Sequence, residues 1–374
     1  MPSAGAQWQD VQNRNSAKET KMTEELSAYL RKILHQFEEL WLPVVKLKGL
    51  ILPARWHNYS EPYLDQFLGS GLISWRAKQI GTELFLRFEP SFTASDHATI
   101  PTWVDCPVYH EDFLSGVQLS PSAERLVQTL QEQGALNLFQ LSTVLDRSVS
   151  RVWSDLTELM LSGIVSNDTL GPLRLLAKWE RHLQSKMYFT VESPVFGQMG
   201  RFFLLPQRRE RSAAAQVQTL LDRYGIVTRE IAVAEGLTWG DLYPILDYLE
   251  HIGEVKRGYF VDGLGGIQFA RRDAVERLNQ TRIDANQWWV LAKEDPAYPS
   301  QFSNDQVKAG PLIVFRAGEP AISAEKRKLA LTILDKLSNT DLEHGLLFLL
   351  QSLYPLYPDE KIVVSEVNKT AVTK

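Results

Sequence analysis

The sequence predicts an α+β protein, mostly α, in which tandem winged helix-turn-helix units are followed by a small β-barrel-like C-terminal domain. The main observation is a threefold repeat, in which a helix-like apolar stretch ends at a glycine seven residues after a leucine. The pairs are Leu64 with Gly71, Leu156 with Gly163, and Leu246 with Gly253, and successive glycines are 92 and 90 residues apart. Glycine supplies the left-handed conformation that ends a helix, and a β-prone run after it can form a wing.

Length and composition limit what these repeats belong to. The 374 residues suit roughly two to four domains, and 44% hydrophobic residues with ten tryptophans supply their cores. No run of 18 apolar residues is present, and residues 1–21 form a polar tail without the apolar centre of a signal peptide. We therefore expect a cytoplasmic protein without membrane contacts. Cys106 is the one cysteine, which excludes an intramolecular disulfide and predicts a buried, unreactive thiol.

The net charge restricts the mode of nucleic-acid binding. A formal charge of −5 argues against a protein that coats nucleic acid through bulk positive charge. Basic residues are nevertheless concentrated on and around the third repeat. They are Arg201, Arg208, Arg209, Arg211, Lys256, Arg257, Arg271, Arg272, Arg277 and Arg282. The pattern predicts a local basic face, and a solvated surface without a ligand is the alternative that stays open.

The first winged-helix unit is expected over residues 22–105. Its predicted elements are a helix over Met22–Trp41, a helix over Pro62–Gly69, and strands over Leu72–Arg76 and Glu83–Phe88. The segment Ser91–Gly116 is rich in Pro, Asp and Thr, so we expect a long irregular connection there.

The second unit, residues 106–205, has the clearest helix-turn-helix pattern. Its predicted helices run from the cap Ser120-Pro121-Ser122 to Gly134, over Leu138–Leu145, and over Ser148–Ser162. In this fold the third helix is offered to a groove, and its N-terminal side presents Ser148, Ser150, Arg151 and Ser154 beside Arg147. Packing of that helix on another domain is the alternative. Residues Ala177–Pro206 are expected to interrupt the repeat.

The third unit is expected over residues 206–283. Its first predicted helix begins at Ser212, the second covers Thr228–Glu235 and the third covers Thr238–Ile252. The predicted wing covers Glu254–Ala270. The wing combines Lys256 and Arg257 with Tyr259 and Phe260, which join charges for phosphate to rings that stack on unpaired bases. Simple alternation of the two rings in and out of a hairpin is the other interpretation. Gly263, Gly265 and Gly266 lie between two β runs and predict a hairpin turn, not a dinucleotide site.

These patterns give one set of candidate DNA contacts, drawn from the second and third units. The candidates are Arg147, Ser150, Arg151, Arg229, Lys256, Arg257, Tyr259, Arg271 and Arg272. The C-terminal domain, residues 284–374, is expected to be β-rich. Its predicted elements are strands over Trp288–Ala292, Leu312–Arg316 and Lys361–Val367 and helices over Ala324–Leu337 and Asp341–Leu353.

Longer stretches resemble the C-terminal region of the large helicase-related (Lhr) proteins of bacteria. The stretches are Leu52–Trp75, Leu156–Arg174, Gly200–Pro206, Asp222–Gly236, Asp241–Ala270 and Glu294–Pro299, and they follow the family order over nearly the whole chain. The resemblance implies the C-terminal half of a superfamily 2 helicase, a row of winged helices followed by a small β-barrel-like domain. It also implies similarity to AlkZ-type bacterial DNA glycosylases and a setting in DNA repair.

The sequence departs from that family in two ways. It has no Gly-x-x-x-x-Gly-Lys-Ser/Thr loop and no Asp-Glu-x-His box, so we expect no ATP hydrolysis by these 374 residues and predict a stand-alone, split or partial C-terminal protein. The family continues beyond the equivalent of Val367 with a short helix and a closing strand, whereas this chain stops at Lys374. We therefore expect an incomplete barrel with an exposed edge.

The residues define no catalytic, metal or cofactor set. Gln131 and Gln133 superficially match the closely spaced glutamines of the related glycosylases, but they end an ordinary helix and read as solvated residues. Capping or turn formation explains Asp168 and Asp295. The polar loop of Asp105, Cys106, His110, Glu111 and Asp112 lacks the paired spacing of a zinc site.

Three functions therefore stay open. The first is a DNA-binding module that holds single-stranded or forked DNA, with a separately encoded helicase core as a partner. The second is an ATP-independent DNA glycosylase that acts on damaged or uracil-containing DNA. The third is a protein scaffold, since winged helices also bind proteins. Whether the chain is an enzyme is left open.

Overall fold

We describe the fold from a computed structural model. The described residues are 26–56, 59–90, 118–183, 199–206, 212–262, 264–298, 312–324, 330–333, 337–355, 362–368 and 370–371. The predicted connection over Ser91–Gly116, Cys106 with its polar neighbours, and Arg208, Arg209 and Arg211 lie outside these residues. Within the described part of the chain, no helix has both the length and the apolar character needed to cross a membrane.

The first unit combines a helical N-terminal part with a three-stranded sheet. In chain order its elements are helix α1 (residues 26–35), strand β1 (Leu42–Pro43), helix α2 (Val44–Lys46), a π-helical turn (Leu47–Ile51), helix α3 (Leu52–Arg55), helix α4 (Glu61–Gly69), and strands β2 (Ile73–Ile80) and β3 (Glu83–Pro90). The sheet order is β1-β3-β2, with antiparallel pairing throughout. The predictions for α4 and the two wing strands are confirmed.

The first helix is shorter than its apolar periodicity predicts. It ends at residue 35 and not at Trp41, because Phe37 is buried and Glu38 forms a bridge with Phe88 of β3. Glu39 then adopts a positive φ of 65° and turns the chain into the sheet. The apolar residues after position 35 therefore lie in a turn that packs on the sheet, and they do not continue the helix.

The second unit has the predicted helix-turn-helix. Its elements are α5 (Pro121–Gln133), β4 (Leu136–Asn137), α6 (Leu138–Val144), α7 (Val149–Leu161), β5 (Val165–Asn167), α8 (Gly171–Leu183) and β6 (Arg201–Leu204). Ser120 caps α5 by accepting a hydrogen bond from the N–H of Ala123, and Gly134 follows the helix with a φ of 77°. The segment Ala177–Pro206, which is expected to interrupt the repeat, contributes strand β6, and β6 lies between β4 and β5 in this unit's sheet.

The third unit follows the predicted order. Its elements are α9 (Ala213–Tyr224), β7 (Ile226–Val227), α10 (Arg229–Ala234), α11 (Trp239–His251), β8 (Val255–Gly258), β9 (Gln268–Arg271) and α12 (Arg272–Gln280). Strands β8 and β9 form the wing, and β7 completes the sheet on the other side of β9. Leu220, Leu242 and Phe269 are fully or almost fully buried in a core of this unit's own.

The first two units share one hydrophobic core. Trp75 of β2 is completely buried, and its indole N–H donates to the carbonyl of Thr169 over 3.1 Å. On the neighbouring position, the Arg76 guanidinium donates to the carbonyls of Gly163 and Pro206, the latter over 2.7 Å. The wing of the first unit is therefore an internal surface that holds the second unit.

The third unit is joined to the end of α1 through α9. The side chain of Arg223 is almost fully buried and donates to the backbone carbonyls of Gln36 and Glu38. One residue earlier, the carboxylate of Asp222 lies 3.3 Å from the imidazole of His35.

Among its described residues, the C-terminal domain has a six-stranded sheet and one helix. Its elements are β10 (Trp288–Ala292), β11 (Leu312–Arg316), β12 (Glu319–Ala324), β13 (Ala330–Ile333), α13 (Asn339–Leu353), β14 (Glu366–Val367) and β15 (Thr370–Ala371), and the strands pair in chain order. The helix predicted over Ala324–Leu337 is wrong, since Ala330–Ile333 pairs as a strand with β12. No closed barrel forms among the described residues, so closure stays a prediction.

Two ion pairs fix this domain to the first unit. Asp295, just after β10, is almost fully buried and receives both terminal nitrogens of Arg55, at 2.7 and 2.5 Å. The neighbouring Glu294 binds the buried ammonium of Lys46 at 2.6 Å.

Candidate nucleic-acid interface

The first candidate surface is the N-terminal part of α7 in the second unit. Ser150, Arg151 and Ser154 are exposed, whereas Val152 and Leu156 are buried on the opposite side. This division follows from helical periodicity, because the apolar residues recur at the spacing that faces the core. Arg151 has no ion pair with the described residues, so its guanidinium is available to an anion.

Arg147 has a different environment from Arg151. Its guanidinium binds the buried carboxylate of Asp155 at 3.0 Å, and the second oxygen of Asp155 accepts the hydroxyl of Ser122 at 2.7 Å. Its carbonyl also accepts the hydroxyl of Ser142. Arg147 thus holds the turn before α7 against the rest of the unit.

The recognition helix of the third unit, α11, is acidic on the side next to the wing. Arg257 of β8 makes ion pairs with Asp247 and with Glu250, the latter at 2.5 Å. Its guanidinium also lies 5.2 Å from the centre of the buried Phe269 ring. The charge of Arg257 is therefore matched by two acids, which the linear sequence does not show.

The same acids and His251 form a group whose ligand atoms lie within 4.8 Å of one another. Such a group has the donor types of a metal site. The guanidinium of Arg257 already contacts two of the three residues, so a positive charge is present at this place. The group gives no support for a metal ion.

The tip of the wing presents one ring to solvent and holds the other inward. Tyr259 is 83% exposed, and it makes no hydrogen bond or ring contact with the described residues. Phe260 folds back over Gly258, where an added Cβ would lie 2.9 Å from the ring. The two rings alternate, as one of the two sequence interpretations predicts, and this leaves Tyr259 free to meet a partner.

A buried glutamine fixes this tip. Gln268 of β9 is completely buried, and its amide oxygen accepts the N–H groups of Phe260 and Val261 at 2.8 and 2.9 Å. Its amide nitrogen donates to the carbonyls of Val261 and Leu264 at 2.9 and 3.2 Å. Sequence reasoning missed Gln268, and its only signal is a polar residue at an inward position of a strand.

The remaining candidate DNA-contacting cations of the third unit fall into two groups. Arg271 is ion-paired with Asp222 of α9 and with Asp273 of α12, so it ties the wing to both helices. Arg229, Lys256 and Arg272 are exposed and have no ion pair with the described residues. Arg272 lies against the end of α11, where a Cβ added to Gly253 would meet its guanidinium at 2.7 Å.

The structure therefore separates the candidate DNA contacts into two classes. Arg147, Arg257 and Arg271 serve intramolecular ion pairs. The exposed candidates without such a pair are Ser150, Arg151, Arg229, Lys256, Tyr259 and Arg272. Gln131 and Gln133 are exposed at the end of α5 and line no described pocket.

The comparisons with known proteins agree with this architecture. Residues 206–290 and residues 5–87 each match a family described as "Large helicase-related protein, winged-helix domain". These two parts of the chain are therefore similar to winged-helix domains of Lhr proteins. Between them, residues 118–181 match a family described as HVO_A0114, which covers α5 to α7 and most of α8 of the second unit.

Two curated Lhr proteins are similar over most of the chain. One is the "Lhr helicase/ probable uracil glycosylase" of Mycolicibacterium smegmatis, which is 29% identical over 72% of this chain. The other is the "Lhr helicase/uracil glycosylase" of Escherichia coli, which is 26% identical over 71% of this chain. The aligned part spans 19% of the length of each relative.

The chain also matches the solved structure of Streptomyces sahachiroi DNA glycosylase AlkZ. The comparison covers 90% of this chain and 99% of that protein, with 15% sequence identity and a TM-score of 0.42.

Proposed function

We propose that this Lhr-type chain is a DNA-binding module of a helicase-linked repair system, in which winged helices hold single-stranded or forked DNA. The observation that supports the proposal is a set of exposed cations that have no ion pair with the described residues: Arg151 on the recognition helix α7, Lys256 on the wing strand β8, Arg229 at the start of α10 and Arg272 at the start of α12. Helix-turn-helix proteins use the recognition helix and its surroundings to approach a groove and its phosphates.

Electrostatics favours a small number of defined contacts. The net charge of −5 gives no general attraction to DNA, so local cations must supply the affinity. Four cations that each neutralise one phosphate give a slope of log affinity against log salt of roughly −3 to −4. A much steeper slope would require a larger basic surface than the one described.

The proposed partner is a separately encoded helicase core. The two curated relatives are named as helicases, and this chain aligns with 19% of their length. The sequence also lacks the phosphate loop and the acidic box that ATP hydrolysis requires. In this proposal the module positions DNA for such a motor.

The test is binding of the purified chain to fluorescent single-stranded, duplex and forked DNA over a salt series. The double variant Arg151→Ala with Lys256→Ala should bind more weakly and reduce the salt slope by about 2. A matched control is Arg125→Ala with Lys293→Ala, which removes the same charge from α5 and from the residue after β10, both exposed. Equal losses in the two double variants would contradict the proposed surface, and absence of binding would favour a protein scaffold.

An ATP-independent DNA glycosylase is the second candidate, because both curated relatives carry uracil glycosylase in their names. The described residues supply no catalytic set for it. Gln131 and Gln133 are exposed on α5, and Asp295 is buried in its ion pair with Arg55. Strand scission after alkali, measured on uracil-containing oligonucleotides without ATP, tests this candidate, and intact strands at full binding would reject it.

A further inference from the structure

We infer that Tyr259 stacks on an unpaired base and that Gln268 is the residue that positions it, so that the third unit selects DNA with unpaired bases over fully paired DNA. The inference rests on the proposed DNA-binding function. It adds a specificity element and a positioning residue to a surface otherwise defined by cations.

The exposure of Tyr259 is the first observation. The ring is 83% exposed, and the neighbouring Val261 and Ile267 are 39% and 37% exposed, so three apolar side chains reach the surface of the wing tip beside the exposed Asp262. Aromatic rings bury a large area when they meet a partner, and every base offers a π-face to such a ring. The tip therefore has the chemistry of a base platform.

The second observation is the order imposed on the tip by Gln268. An amide side chain has one oxygen acceptor and two N–H donors. Gln268 uses all of them on the two residues after Tyr259 and on Leu264. The backbone that carries Tyr259 is consequently held in one conformation before any ligand arrives, which lowers the entropic cost of binding.

The packing of Phe260 restricts the tip further. Its ring lies against Gly258, on the other side of Tyr259 in the sequence, at a distance that leaves no room for a Cβ. The residues on both sides of Tyr259 are thus fixed, one by a ring contact and the other by hydrogen bonds. The Tyr259 side chain projects from this ordered backbone into solvent.

The surrounding charges favour a single DNA strand that runs along the wing. Lys256 is exposed three residues before Tyr259, so their backbones are at most about 11 Å apart. This separation allows Lys256 to bind a phosphate near the stacked base. Acidic residues line α11, with Asp241 exposed and Asp247 and Glu250 paired with Arg257. These acids disfavour a phosphate backbone over that helix, so the wing is the better contact.

The test compares a forked oligonucleotide with unpaired arms and a fully paired duplex of the same length, both fluorescein-labelled. Tyr259→Ala should weaken binding of the fork by about tenfold and leave duplex binding unchanged. Tyr259→Phe keeps the ring and should retain fork binding. A loss of equal size on both DNAs, or no loss on either, would overturn the stacking role.

The role of Gln268 is tested by a double-mutant cycle. Gln268→Ala should reduce fork binding about as much as Tyr259→Ala, and the double variant should show no further loss. Additive losses would overturn the positioning role. Gln268→Glu keeps a side-chain oxygen that can accept the N–H groups of Phe260 and Val261. It is the variant to measure if Gln268→Ala does not fold. If the wild-type chain binds neither DNA, the proposed function fails; if it binds both and Tyr259→Ala changes neither, only this inference fails.

Discussion

Asp168 and Gly200 are in such close contact that no other residue fits in place of the glycine. A Cβ added at Gly200 would lie 2.0 Å from Oδ1 of Asp168. The same carboxylate accepts the backbone N–H of Arg201 at 2.7 Å and its Nε at 2.9 Å. Asp168 thereby fixes the point where the chain returns after α8 to form β6 of the second unit.

Gly200→Ala should therefore destabilise the protein by more than about 2 kcal/mol, because a positive φ of 65° and a steric clash act together. The measurement is the shift of the thermal unfolding midpoint. Gly236→Ala is the matched control, since Gly236 has a φ of 71° but no atom within 4 Å of an added Cβ. Equal shifts would show that the Asp168 contact does not matter.

Arg147 and Arg151 should respond differently to substitution although they lie four residues apart. Arg147→Ala leaves the buried Asp155 without its cation and should cost about 1–3 kcal/mol of unfolding free energy. Arg151→Ala should change stability by less than about 0.5 kcal/mol, but weaken DNA binding and lower the salt slope by about 1. Thermal melts and binding isotherms on both variants check the contrast. Similar effects of the two variants on both measurements would contradict it.

The helix-turn-helix elements could be predicted from the sequence because local interactions define them. Ser120 caps α5, the apolar side of α7 recurs at helical spacing, and Gly253 ends the helical turn after α11. Each of these signals lies within one or two helical turns. Such signals do not depend on the rest of the fold.

The elements that the sequence analysis did not predict form by pairing between strands that are distant in the sequence. Strand β6 pairs with β4 and β5, from which α8 and other residues separate it, so no local pattern indicates its place. Ile333 and Leu337 have helical spacing, yet Ile333 pairs with Ile322 in a sheet. Tertiary pairing overrides local preference in such segments.

The candidate site was predicted only in part for the same reason. Basic residues can be counted in a sequence, but their counter-ions cannot. Arg257 is matched by Asp247 and Glu250 only because the wing folds back beside α11. The buried side chain of Gln268 forms hydrogen bonds with Phe260 and Val261, which lie across the hairpin from it. Neither this burial nor these hydrogen bonds can be read from the sequence.

The ion pair of Arg55 with Asp295 should be a main source of attachment for the C-terminal domain. Asp295→Ala leaves a partly buried guanidinium without its carboxylate and should cost about 3–5 kcal/mol. The exposed pair of Arg277 with Asp273 is the matched control, where Arg277→Ala should cost less than about 1 kcal/mol. Chemical denaturation of both variants compares the costs. A small effect of Asp295→Ala would show that the apolar contacts alone hold the domain.

The contact between His35 and its two acids should make the junction of the first and third units dependent on pH. The hydrogen bond to Glu38, at 2.8 Å, raises the pKa of His35, and Asp222 raises it further against the opposing effect of burial. A folded-state pKa above the unfolded value of about 6.5 means that the charged imidazole stabilises the fold. This contribution is complete below about pH 6.5 and is lost as the pH rises through the folded-state pKa.

His35→Gln should consequently lower the unfolding midpoint most at about pH 6 and progressively less toward pH 8.5. The measurement is the difference in midpoint between wild type and variant at several pH values. In a Glu38→Gln background the pH dependence of that difference should shrink, because the largest cause of the raised pKa is gone. A difference that stays constant with pH, or grows as the pH rises, would mean that His35 joins the two units by packing and not by its charge.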